Sequence, residues 1–302
     1  MNEFALIDRF VACFDVQASP AGPGDDCAVL RRQGPSCVTT DALVEGVHFT
    51  RATFSPEDIG HKALAVNLSD LAAMGARPTW FTVALGLPPA VTTAELVRIG
   101  RSMAALARRH GARLVGGNVT RAAELSLTIT AAGALSTRPL LRSGARPGDL
   151  IFVSGTLGDA AGGLRALRDG LAAPQLVRAQ RRPHPHLAFA ARARALVTAA
   201  IDVSDGLAQD LSHVCVASHV GADLHSAALP LSRALVDFAG ADALELALRG
   251  GEDYVLLVTA PARSRARLRS LGAFEIGVVT RETGLTLDGK PLSGPLGFQH
   301  RS

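Results

Sequence analysis

The chain is 302 residues long, 48% of them hydrophobic, with a formal net charge of +4 and a pI near 9.2. That length predicts about two domains with ample material for packed cores, and no stretch approaches the ~20 unbroken apolar residues of a membrane-spanning helix. The positive charge sits on scattered arginines, with Lys62 and Lys290 the only lysines and one Trp and one Tyr in all, so the basic run and aromatic platform of a nucleic-acid binder are missing.

In chain order, the start from Met1 to Asp8 carries acids where a secretory leader carries a basic segment. Cys13, Cys27, Cys37 and Cys215 show neither metal-type spacing nor the density of a disulfide framework, so a cytoplasmic protein with reduced thiols is expected. Gly22-Pro23-Gly24-Asp25-Asp26 is a tight turn ending in two adjacent acids. Two carboxylates ~4 Å apart repel by about 1 kcal/mol in water and several times that near a protein surface, so a fold that fixes both tends to supply a cation. Taken alone, a solvated acidic turn is the simpler reading of this pair. Ser36 to Asp41 reads as a strand whose end gathers Thr39, Thr40 and Asp41, oxygen donors that suit a hard ion such as Mg²⁺ better than zinc. His48 follows, either a substrate contact or a surface imidazole.

Ser55-Pro56-Glu57-Asp58 has the marks of a helix start: a hydroxyl cap, a proline where a missing N–H costs nothing, and two acids where the helix dipole favours them. Gly75 and Pro78 end the helix. Asp70 is the only ionisable side chain from Ala63 to Ala76, so a largely buried helix carries one carboxylate in need of a partner, with Asn67 three residues earlier on the same face. A buried Asp accepting backbone hydrogen bonds and a metal ligand are both open at this point.

Trp80 to Leu87 is predicted as a strand, Thr92 to His110 as an amphipathic helix, and Arg113 to Val115 as a short strand opening into a flexible Gly116-Gly117-Asn118 end. Ser126 to Ala134 is a further strand. The Pro-, Gly- and Arg-rich stretch from Ser136 to Asp149, which contains Arg142, sets a boundary between domains 1–137 and 138–302. Beyond it, the strand Leu150 to Val153 enters Ser154 to Asp159, a turn whose helix N-terminus suits an anion. Asp202 and Asp205 flank Ser204 at a strand–helix junction, and Gly250-Gly251-Glu252-Asp253-Tyr254 precedes another strand. Strands alternate with helices in both halves, which predicts α/β layers in each. No phosphate loop of the G-x-x-x-x-G-K-[ST] type, dinucleotide fingerprint, protein-kinase catalytic loop, G-x-S-x-G or H-E-x-x-H occurs, so charge neutralisation and positioning would have to carry any phosphate chemistry.

Gly24-Asp-Asp-Cys-Ala28, Thr39-Thr-Asp41, Gly46-Val-His-Phe49, Lys62 to Gly75, Gly116-Gly-Asn118, Arg142-Ser-Gly-Ala145, Ile201-Asp-Val-Ser-Asp-Gly206, Gly250 to Tyr254 and Gly297-Phe298 together resemble the thiamine-monophosphate kinase family, in that family's order from end to end. The Lys62 to Gly75 stretch is the most specific; the Gly-Asp-Asp and Ser-Asp-Gly turns recur across the wider superfamily that includes aminoimidazole ribonucleotide synthase. The resemblance implies a two-domain α/β (α+β) fold, an N-terminal sheet pairing across a homodimer, and ATP-dependent phosphorylation of thiamine monophosphate to thiamine diphosphate by direct transfer, with no covalent nucleophile or general base. It further implies that Asp26, Thr39, Thr40, Asp41, Asp70, Asp202 and Asp205 hold several Mg²⁺ ions. Gly117, Asn118, Arg142 and Ser204 would contact ATP, and His48, Glu252 and Phe298 would line the thiamine site. Asn118 departs from the family pattern, which in many members has a metal-binding Asp there; it keeps an oxygen donor and loses a charge. A sister ATP-dependent synthase of the superfamily and a non-catalytic thiamine-phosphate binder are the alternatives.

Overall fold

The computed structural model describes residues 3–14 and 34–298. Asp25 and Asp26 lie outside the described residues. The chain divides into two compact units, Met1–Leu71 with Ala76–Thr137 and Ala72–Gly75 with Arg138–Ser302. No helix among the described residues is long and apolar enough to cross a membrane.

The first unit contains α1 (Glu3–Val11), β1 (Ser36–Val44), α2 (Pro56–Ala73), β2 (Arg77–Leu87), α3 (Thr93–His110), β3 (Arg113–Arg121) and β4 (Ser126–Ala134). The start of α2 is closed reciprocally: the Asp58 N–H donates to Ser55 Oγ at 3.2 Å and the Ser55 N–H donates to Asp58 Oδ2 at 3.2 Å. Gly75, at φ +65, terminates it. Thr92 and Glu95 form the same kind of box at the start of α3. The strands make one sheet in the order β1-β4-β2-β3, antiparallel except for the β2/β3 pair. Because side chains alternate along a strand, the rows across this sheet alternate too. Asp41, Ile129, Val83 and Gly117 share one face, which carries the buried side chains. Ala42, Thr128, Ala84 and Asn118 share the other, exposed one, as do Thr40 and Thr130.

β3 runs past the predicted end at Val115 through Gly116, Gly117 and Asn118 to Arg121. Parallel pairing with β2 carries it on, after a register shift between Phe81 and Thr82. Glycine is needed at 117, where a Cβ would lie 2.2 Å from the Val83 carbonyl oxygen.

The second unit contains β5 (Leu150–Val153), α4 (Asp159–Asp169), α5 (Pro174–Arg181), α6 (Leu187–Ala193), β6 (Ala199–Asp202), α7 (Leu207–Ser218), β7 (Gly221–Leu224), α8 (Arg233–Ala239), α9 (Ala243–Arg249), β8 (Leu256–Ala260), α10 (Arg265–Ser270), β9 (Phe274–Thr280), β10 (Gly284–Leu287) and β11 (Lys290–Pro291). Its sheet runs β11-β10-β7-β9-β5-β8-β6, with β10/β7 parallel and the remaining pairs antiparallel. The four-residue strands β5 and β6 are buried throughout; β5 reads in the sequence as a short unbroken apolar run for that reason, and β6 as one closed by Asp202. The fold is therefore of mixed α/β (α+β) type.

Candidate active site

In the first unit the acids converge where the middle of β1, which runs on past the predicted end at Asp41 to Val44, faces α2. Alternation sends Thr39 and Asp41 to the same side and Thr40 to the other. Thr39 Oγ1 donates a short hydrogen bond to Asp70 Oδ2. The Asp41 N–H donates to Asn67 Oδ1 at 3.1 Å, and Asn67, fully buried, returns its Nδ2 to the Ala63 carbonyl at 3.1 Å. Burial, and then the neighbouring Asp70 carboxyl, push the Asp41 carboxyl up to about 6. Asp70, the one acid in the apolar part of α2, thus faces a hydroxyl and a second carboxyl across from it. Thr40 shares its face with Thr130, whose hydroxyl lies 3.3 Å away. His48 accepts the Val44 N–H on Nδ1 at 3.1 Å, which leaves Nε2 to carry its proton.

Gly117 and Asn118 are not beside this group. β1 and β3 are opposite edges of a four-stranded sheet, about 14 Å apart at ordinary strand spacing, and Asn118 lies on the face opposite Asp41.

In the second unit three motifs meet around the turn after β6. Asp202 ends the strand and is buried. The N–H groups of Ser204, Asp205 and Gly206 all donate to one carboxylate oxygen of Asp210, at 3.0, 3.0 and 3.1 Å. Asp210 therefore shapes the turn that presents Ser204 and Asp205. It was not among the residues singled out in the sequence, and its signal there is an acid in the first turn of the helix that follows. Burial pushes its carboxyl up to about 7 against the pull of the three N–H donors. The Glu252 N–H donates to the Ser204 carbonyl at 2.7 Å, the Tyr254 N–H to the Val203 carbonyl at 2.8 Å, and the Phe298 N–H to the Asp205 carbonyl at 3.0 Å. Ser204, Asp205, Glu252 and Phe298 are thereby held together by main-chain bonds two residues and more beyond Asp202, with Phe298 54% exposed.

The predicted anion seat at the start of α4 is filled by the chain itself. Half-buried Asp253 accepts the N–H groups of Gly158 and Ala160, at 2.6 and 3.1 Å, and desolvation raises its carboxyl to about 7. Two of the N–H groups that would face an outside anion are thus already taken, which corrects the expectation drawn from Ser154 to Asp159. Arg142 also stands apart from the turn. Its loop is pinned by Ser218 at the far end of α7, through the Gly144 and Ala145 N–H groups. The loop runs antiparallel to β6, with the Leu141 carbonyl accepting the Ala200 N–H, so Arg142 lies near the start of that strand and Asp202 at its end.

Among the described residues no three His, Cys, Asp or Glu side chains gather as a metal centre. The donor set fits Mg²⁺ nonetheless. That ion binds through one or two carboxylates and takes its remaining oxygens from phosphates and water. A crowded Asp41–Asp70 pair with a hydroxyl beside it is relieved by a cation.

The chain matches the family models for AIR synthase related proteins, the N-terminal domain over residues 24–135 and the C-terminal domain over 146–290. It is 43% identical over 282 residues to the thiamine-monophosphate kinase of Salmonella typhimurium, covering 88% of this chain and 85% of that protein. The chain belongs to the thiamine-monophosphate kinase family. The crystal structure of the family member from Stenotrophomonas maltophilia K279a is similar with a TM-score of 0.87 and 42% identity, over 97% of this chain and 98% of that one. AaThiL complexed with AMPPCP and TMP is similar with a TM-score of 0.84 and 34% identity, over 99% of this chain and 96% of that one.

Proposed function

We infer that the protein phosphorylates thiamine monophosphate to thiamine diphosphate at the expense of ATP. The observation that carries this is the match, over 99% of the chain, to a family structure holding AMPPCP and TMP. The individual roles follow from the resemblance and from the local chemistry. Asp41 and Asp70, supported by Thr39 and oriented through Asn67, would hold Mg²⁺ in the first unit, together with Asp26 and the main chain of Thr40. Asp202 and Asp205 would hold it in the second. Bound Mg²⁺ would neutralise phosphate charge and so lower the repulsion between donor and acceptor phosphates.

The protein's own residues bind and orient. Ser204, on a turn fixed by Asp210, offers a hydroxyl to ATP, and Gly117, Asn118 and Arg142 are assigned to the same nucleotide. His48 presents Nε2–H as a donor, Glu252 a carboxylate suited to a cationic ring, and Phe298 an exposed ring for stacking. No general base is required, because the attacking phosphate oxygen is already ionised. The exposed sheet face bearing Val38, Thr40, Ala42, Thr128 and Asn118 is assigned to pairing with a second copy in a homodimer.

Steady-state ADP release tests the reading. Wild-type release should require both thiamine monophosphate and Mg²⁺. Asp70→Asn, which keeps the side-chain size and removes a charge beside Asp41, should lose at least about 100-fold in kcat, or ~2.7 kcal/mol, with no fall in melting temperature. Release that ignores thiamine monophosphate would overturn the assignment.

A further inference from the structure

The motifs of the second unit pass over Gln180, yet this side chain sits at their centre. The pair Gly162-Gly163 in α4 removes side chains where α5 crosses. A Cβ on Gly163 would lie 2.1 Å from the Leu176 carbonyl oxygen and 3.0 Å from Gln180 Cβ. Two helices therefore pack with nearly touching backbones, and Gln180, near the end of α5, is carried inward to 1% exposure. There its Nε2 donates a short hydrogen bond to the Glu252 carboxylate. Its Oε1 is buried and has no partner among the described residues.

That arrangement is a poor choice for packing alone. A Met or Leu of similar volume would fill the space without stranding a carbonyl oxygen. What the amide supplies is direction. Glu252 is one of the few non-glycine residues at positive φ, +71, and its N–H is tied to the Ser204 carbonyl at 2.7 Å. A strained backbone thus fixes the root of the side chain, and Gln180 fixes its tip. Elements far apart in sequence meet on one carboxylate, 72 residues from the amide that holds it.

We propose that Gln180 is a positioning residue that aims the Glu252 carboxylate at the cationic part of the acceptor substrate and so sets affinity for thiamine monophosphate without entering the transfer step. This rests on the reading of Glu252 as a substrate-site residue.

The test is a double-mutant cycle on the full-length protein, read as separate KM values for thiamine monophosphate and ATP, kcat, and melting temperature. Gln180→Met should raise the KM for thiamine monophosphate about tenfold while the KM for ATP and kcat stay within about twofold, and the melting temperature should hold or rise. Gln180→Glu, which opposes Glu252 with a like charge, should raise that KM further and keeps the proposal testable should the Met variant fold poorly. In a Glu252→Gln background, Gln180→Met should add nothing. A Gln180→Met effect that persists undiminished in that background, or a joint fall of kcat, both affinities and melting temperature, overturns the positioning role. If Glu252→Gln raises the KM and Gln180→Met does not, the positioning role fails and the substrate-site reading stands. If Glu252→Gln leaves the KM unchanged, both fall together.

Discussion

His186 is a half-buried imidazole set edge-on against another histidine: His184 lies 5.2 Å away between centroids, and desolvation, then that neighbour, push the His186 pKa down to about 4. The folded protein holds this group neutral while the unfolded chain protonates it near 6.5. Its contribution is therefore complete above about pH 6.5 and is lost as pH falls from there towards 4, by about 3 kcal/mol. Asp210 and Asp253, pushed up to about 7, act in the opposite direction over the same range, since the folded state takes up their protons first. The comparison with His186→Leu isolates the imidazole: the melting temperature of wild type should fall relative to the variant between pH 7 and pH 4.5, and a constant difference would refute it. At this scale the sequence was legible where a side chain broke a local pattern. Asp70 stood alone in an apolar helix, and its need for a partner could be argued before the partner was visible. Asp253 and Gln180 were not legible, because their partners lie 93 to 95 and 72 residues away and neither interrupts a local period.

At the scale of elements, the turn between β6 and α7 depends on a residue outside it. Asp210→Ala leaves three N–H groups without their acceptor in a partly buried turn, which should cost about 2–4 kcal/mol in a denaturant titration and lower activity through Ser204 and Asp205. Asp210→Asn keeps an oxygen acceptor and should cost about 1 kcal/mol. Equal losses in the two variants would mean that charge, not the acceptor, holds the turn. The helix starts at Ser55 and Thr92 and the strand Ser126–Ala134 could be read directly, since capping residues and alternation are local signals. The continuation of β3 through two glycines could not. Glycine and asparagine are poor strand formers in isolation, and only pairing with β2, where the Val83 carbonyl crowds position 117, makes them strand residues. The α4 N-terminus was misjudged for a related reason: local sequence shows an anion seat but not the anion already in it.

At the scale of the molecule, a sheet with one buried face leaves Val38, 60% exposed, on the open face beside Thr40 and Ala42. Sedimentation velocity should show a species of twice the 31.3 kDa chain mass, and Val38→Arg should shift it to the single chain. A wild-type monomer would remove the pairing assigned to that face. The strand order within each sheet was not legible, because pairing partners are set by packing between segments distant in the chain. The central claim is a phosphoryl transfer onto a phosphate, and product identity tests it most directly. Phosphorus NMR of the purified protein with MgATP and thiamine monophosphate should show thiamine diphosphate and ADP growing in a one-to-one ratio. ADP accompanied by inorganic phosphate, with the thiamine monophosphate signal unchanged, would contradict the account.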